Sequence, residues 1–175
     1  MSLGVALLAT ENRTDWSHMG TTRAHSLEST DGAAVDEGRL VACSDADFAG
    51  DLDTQKSTSG MFMAIKGQDT SFPISAYSKR QHCVSTSTTE AEMVAAATAL
   101  RQTGIPVLAV MEKWSAALSL PSPVLQFRLD NTAMIEIGRT GRNLTMRHLG
   151  RTHGVNIAWL HEQCSRDSIQ TSYIP

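Results

Sequence analysis

The residues best suited to chemistry are carboxylates that sit where predicted elements end. Residues 39–44 (RLVACS) form a short apolar run that reads as a buried strand and stops at Asp45. Residues 124–129 (VLQFRL) alternate apolar and polar side chains like another strand and stop at Asp130. Paired strands lie about 4.8 Å apart, so if these two are parallel neighbours, Asp45 and Asp130 stand side by side. In open α/β sheets that C-terminal edge is where sites form. Glu92, in the first turns of a predicted helix, can lie over the same edge. Three converging carboxylates repel one another and raise their own pKa values unless cations neutralise them. Hard oxygen ligands without cysteine suit Mg²⁺ or Mn²⁺, and such a centre suits phosphate-ester chemistry. Acids in loops and first helical turns are also common without any such role.

The elements that must position these acids can be read in order. Residues 60–65 (GMFMAI) and 74–78 (ISAYS) are two further strands; with 39–44 they suggest an antiparallel meander. Ser87-Thr88-Thr89-Glu90 has the S-x-x-E form of a capping box, with Ser87 as N-cap and Glu90 as its partner. Met93, Ala96, Ala97 and Leu100 then recur at helical spacing and offer a narrow face for close packing. Gly104 and Pro106 break or bend this helix, and residues 107–118 form a second helical stretch. A short helix over 131–138, another over 149–164 and a last strand over 169–174 complete the chain. Strands first, then alternating helices and strands, predict a mixed sheet covered by helices.

The chain has 175 residues, 41% apolar and 19% charged, with a net charge of −3. That balance fits one compact domain and excludes a polybasic tail or a charge-driven disordered chain. Individual apolar stretches stay under about ten residues, which predicts no membrane-spanning helix and no membrane partner. Residues 10–38 are polar, so 1–38 read as a lead-in or linker and the domain as 39–175. Cys43, Cys83 and Cys164 are widely spaced and odd in number. They predict free thiols in a reducing, intracellular setting, cytoplasm or nucleus.

No acid stands between Glu136 and Glu162, a window holding Arg139, Arg142, Arg147 and Arg151 with His148, His153 and His161. This local cationic surface can meet phosphates, with Lys79 and Arg80 as additions; a solvated face explains it as well. The three histidines lack tight ligand spacing and read as structural or solvated. Trp114 and Trp159 lie in amphipathic stretches and read as core. The serine-rich segments have no His–Asp partner motif, which argues against a serine hydrolase.

Several strings also resemble one family. Ser44-Asp45-Ala46-Asp47-Phe48-Ala49-Gly50-Asp51, followed by Lys56-Ser57-Thr58-Ser59-Gly60, resembles a block of ribonuclease H domains from copia-type LTR retrotransposon Pol polyproteins. Ser78-Lys79-Arg80-Gln81, Ser87-Thr88-Thr89-Glu90-Ala91-Glu92, Leu129-Asp130-Asn131-Thr132-Ala133, Arg147-His148-Leu149 and Tyr173-Ile174-Pro175 follow in the family's order. The resemblance implies a ribonuclease H-like fold, a mixed five-stranded sheet with helices on its faces. It implies hydrolysis of the RNA strand of RNA–DNA hybrids, with two Mg²⁺ or Mn²⁺ ions. It implies Asp45, Glu92 and Asp130 as catalytic and metal-binding acids. Asp47, on the same strand face, competes with Asp45, and Glu90 is set aside because the capping box already employs it.

The resemblance further implies that Lys79, Arg80, Arg139, Arg142, Arg147 and Arg151 face the hybrid. Its expected partner is the reverse transcriptase region of the same polyprotein, whose tail residues 3–9 resemble. Two departures accompany it. Gly150 stands where the family usually has an aspartate, and the fourth acid would lie beyond Pro175, which predicts a missing C-terminal segment. The alternative is a catalytically dead remnant that acts at most as a nucleic-acid-binding module.

Overall fold

A computed structural model describes residues 39–67, 69–142, 146 and 148–174. The predicted lead-in 1–38, Arg147 and Pro175 lie outside the described residues. Five strands form one sheet: β1 (Arg39–Asp47), β2 (Thr58–Lys66), β3 (Ser71–Arg80), β4 (Leu125–Leu129) and β5 (Ile169–Tyr173). Their spatial order is β3-β2-β1-β4-β5. The first three make the expected antiparallel meander, and β4 and β5 join in parallel on the other side of β1. Pro73 lies in β3, an edge strand, beside a register shift at Met63/Ala64, the kind of position where a sheet tolerates proline.

Most strands run longer than the apolar runs that predicted them. β1 continues to Asp47 because its polar end still pairs with β2, Asp45 opposite Gly60 and Asp47 opposite Thr58. Pairing partners, which apolar periodicity does not report, set where a strand stops.

Helix α1 (Thr88–Ala99) and helix α2 (Ile105–Leu118) are joined without a break by a π-helical turn, Leu100–Gly104. The Ile105 N–H reaches back five residues to the Leu100 carbonyl. Pro106 cannot donate, and the widened turn lets the helix pass it without ending. Gly104 also has a packing reason: a Cβ there would lie 3.2 Å from Leu125 Cδ2. The resulting run, Thr88–Leu118, spans 31 residues and is long and apolar enough to cross a membrane. The run is longer than the separate apolar stretches suggested because the π-turn joins them. Half of its most apolar window is buried inside the fold, where Met93, Ala96, Ala97, Leu100 and Leu108 join the core.

Helices α3 (Thr132–Thr140), α4 (Leu149–Thr152) and α5 (Ile157–Cys164) follow. The single helix predicted over 149–164 is two, because Gly154 takes φ +65° and Asn156 starts α5 by accepting from the Ala158 and Trp159 N–H groups.

The core gathers Leu40, Met61, Met63, Leu125, Phe127 and Leu129 from the sheet with Met93, Leu100, Met134, Leu149 and Leu160 from the helices. Each such side chain contributes roughly 1.5–3 kcal/mol through its burial. Trp159 packs against this core and carries the Arg101 guanidinium 4.8 Å from its ring centre. Trp114 does not: it is 61% exposed, on a stripe of α2 with Val110 and Leu118. The expectation of a core Trp114 fails because the helix turns that face away from the sheet. No disulfide joins the three cysteines among the described residues, and burial pushes Cys164 up to about 11.

Candidate metal centre

The parallel register of β1 and β4 pairs Ser44 with Leu129, so the next residue of each chain is an aspartate at the same sheet edge. Asn131 caps α3 by accepting from the Met134 N–H at 3.0 Å, which turns the chain sharply just past Asp130. On the other side, Ser87 caps α1 by accepting from the Glu90 N–H at 3.2 Å. The first turn then delivers Glu92 to the end of β1, where its Oε1 accepts from the Ala46 N–H at 3.0 Å. Ala91 and Ala95 are small enough to let this helix pack closely over Ala46.

The outcome is one cluster. A carboxylate oxygen from each of Asp45, Glu92 and Asp130 lies within 4.8 Å of the others, with Glu92 buried, Asp45 half-buried and Asp130 exposed. Asp47, the competitor, is outside it; its carboxylate folds back against Gly50. Burial first, then the Asp130 and Asp45 charges, push Glu92 up to about 8. Burial and the Asp130 charge raise Asp45 as well, against the Ala46 N–H that lowers it. Three crowded carboxylates of this kind form a donor set that fits hard divalent cations.

Glu90 behaves differently. Its carboxylate does not close a capping box onto Ser87 but accepts from the Thr86 N–H at 2.8 Å and from the Thr86 hydroxyl. Two histidines face its other oxygen, His148 Nε2 at 3.3 Å and His153 Nε2 at 3.0 Å. Burial favours a raised pKa, and the bonds from Thr86 and His148 outweigh it and lower Glu90. Sequence reasoning missed this convergence, since residues about 60 positions apart carry no spacing signal.

The basic candidates scatter. Lys79 and Arg80 end β3, in register with Ser59 and Thr58, which in turn face Ala46 and Asp47 of β1. They therefore stand at the edge that carries the acids. Arg80 pairs with Asp51, and this pairing first of all holds Asp51 down to about 2. Arg139 makes two bonds to Glu136, at 2.8 and 3.0 Å, so its charge is already answered. Arg142 and Arg151 are exposed.

No protein-family model matches the chain. Over 132 residues, 75% of its length, it is 30% identical to the retrovirus-related Pol polyprotein from transposon TNT 1-94 of Nicotiana tabacum. That stretch is 9% of the polyprotein. Over 85 residues, 49% of the chain, it is 34% identical to secreted RxLR effector protein 161 of Plasmopara viticola, covering 55% of that protein. Among solved structures it is similar to LC11-RNase H1, isolated from compost by a metagenomic approach, with a TM-score of 0.46 and 14% identity over 79% of this chain and 86% of that one. Over the matched stretch the chain is similar to a retrovirus-related Pol polyprotein of a transposon, of whose length it spans a small part, and its mixed five-stranded sheet with packed helices is the architecture that the sequence resemblance implied.

Proposed function

We propose that this domain is a metal-dependent hydrolase of ribonuclease H type, from a copia-type element, that cuts the RNA strand of RNA–DNA hybrids. Asp45, Glu92 and Asp130 would hold two Mg²⁺ or Mn²⁺ ions. When bound, such ions supply Lewis acidity at the phosphate and a lowered pKa for water. The chain's own part is positioning. The β1–β4 register holds Asp45 and Asp130 together, and the Ala46 N–H fixes the rotamer of Glu92. Lys79, Arg80, Arg139, Arg142, Arg147 and Arg151 would meet phosphates and 2′-hydroxyls, which makes sequence selectivity weak. The reverse transcriptase region of the same polyprotein is the proposed partner and an intracellular setting the proposed location.

The observation that supports this reading most is the convergence of three carboxylates from separate elements, crowded enough to hold Glu92 at about 8. Its test is Mg²⁺-dependent cleavage of a labelled RNA–DNA hybrid beside single-stranded RNA. The expected result is hybrid-selective cutting that Asp130→Asn removes; an Asp130→Asn variant as fast as the parent overturns it. A second reading is a remnant that binds nucleic acid without cutting, favoured by Gly150, exposed in α4 where the family usually has an aspartate. Hybrid binding with no cleavage in Mg²⁺ or Mn²⁺ selects it.

A further inference from the structure

Glu90 lies two residues from Glu92 on α1, yet it takes no part in the carboxylate cluster. Its side chain and that of His153 are each only 2% exposed. The His148 contact is a hydrogen bond; His153 Nε2 lies 3.0 Å from the same oxygen but off the line of one. The two histidines bracket α4, the turn that carries Arg151. A third tether holds the same turn, since the Cys83 thiol donates to the Thr152 carbonyl at 2.8 Å. Leu149 and Val155 are buried on either side of it, while Arg151 is exposed.

The turn is thus fastened to the end of α1 that also delivers Glu92 to β1. Unlike Arg139 or Arg80, Arg151 has no recorded acid partner among the described residues. A carboxylate gripped from both ends of the turn restricts where that arginine can stand.

We infer that Glu90, His148 and His153 form a positioning clamp that fixes Arg151 beside the carboxylate edge, where it meets a backbone phosphate of the hybrid. The inference rests on the hybrid-binding reading above. The clamp residues touch no substrate; they act through Arg151. Fixing the side chain in advance lowers the ordering cost of the phosphate contact.

The test is binding of a fluorescein-labelled RNA–DNA hybrid, followed by anisotropy in EDTA so that no cutting intervenes, across a series of salt concentrations. Arg151→Ala weakens binding about three- to tenfold and lowers the salt slope by about one. His148→Ala gives a loss of the same size, and His148→Gln, whose amide can still donate to Glu90, restores it. The decisive comparison is the double variant. His148→Ala with Arg151→Ala binds no worse than Arg151→Ala alone, because both act on one contact. Losses that add, or a His148→Ala variant that binds like the parent, overturn the clamp. If His148→Ala fails to fold, Glu90→Gln is carried through the same cycle with the same outcomes. A parent that binds with this pattern but never cuts overturns the nuclease reading and leaves the clamp standing. A parent that binds no hybrid overturns both.

Discussion

Glu90 and Glu92 are two residues apart on one helix and both are buried, yet their acidities diverge. Glu90 is lowered, while Glu92 is pushed up to about 8. Desolvation raises both and is the largest influence on each. The partners decide the sign. Glu90 looks onto Thr86 and two imidazoles, and Glu92 looks onto two aspartates. A buried carboxylate whose neighbours answer its charge holds a fold together. One surrounded by like charge stores repulsion that a cation relieves.

The strongest way to break this contrast is to neutralise each glutamate in turn. Glu92→Gln is expected to reduce hybrid cleavage by at least about a hundredfold, more than loss of an outer partner of a metal ligand costs. In EDTA the same variant melts no lower than the parent, since it removes repulsion rather than attraction. Hybrid cleavage and a thermal melt measured together check both halves. Glu90→Ala is expected to do the reverse to stability, costing about 1–3 kcal/mol in urea unfolding because Thr86 and His148 lose their acceptor.

The pH response sharpens the contrast further. The pKa of Glu92 rises on folding from the usual 4.5 to about 8, so over that interval the folded state binds the extra proton. Stability in EDTA therefore falls as pH climbs from about 4.5 to 8 and levels off above, by up to about 5 kcal/mol. Glu92→Gln should flatten that slope, and Mg²⁺ should raise the melting temperature more at pH 8.5 than at pH 6. Denaturant titrations at five pH values, with and without Mg²⁺, read this out. The smallest effect is expected far from either glutamate: Trp114→Ser, at an exposed position, shifts stability by less than about 0.5 kcal/mol.

Much of the acid edge was readable before any coordinates. Asp45 and Asp130 each follow an apolar run, and strand pairing does the rest once the strands are parallel. Ser87 announced the start of α1 through its side-chain type. Other features resisted. Gly104 and Pro106 looked like a helix end, but a π-turn supplies a five-residue bond that no propensity anticipates. Gly154 splits the predicted 149–164 helix, which its apolar periodicity concealed. Trp114 fits an amphipathic pattern, yet which face of α2 meets the sheet depends on how the helix leaves the π-turn, where Gly104 packs against Leu125. The arginine window looked continuous, while Glu136 already answers Arg139.

By itself the sequence determined which residues are acids at strand ends, where the first helix is capped, and that the strands precede the alternating half. These are local properties of side-chain type and period, and they survive in any environment. Only the tertiary structure decided that Asp45 rather than Asp47 joins the cluster, that Glu92 titrates near 8, and that Glu90 is claimed by His148 and His153. Those outcomes depend on distances between groups remote in the chain. Electrostatic energy follows distance and burial, and neither exists until the sheet and helices close around them.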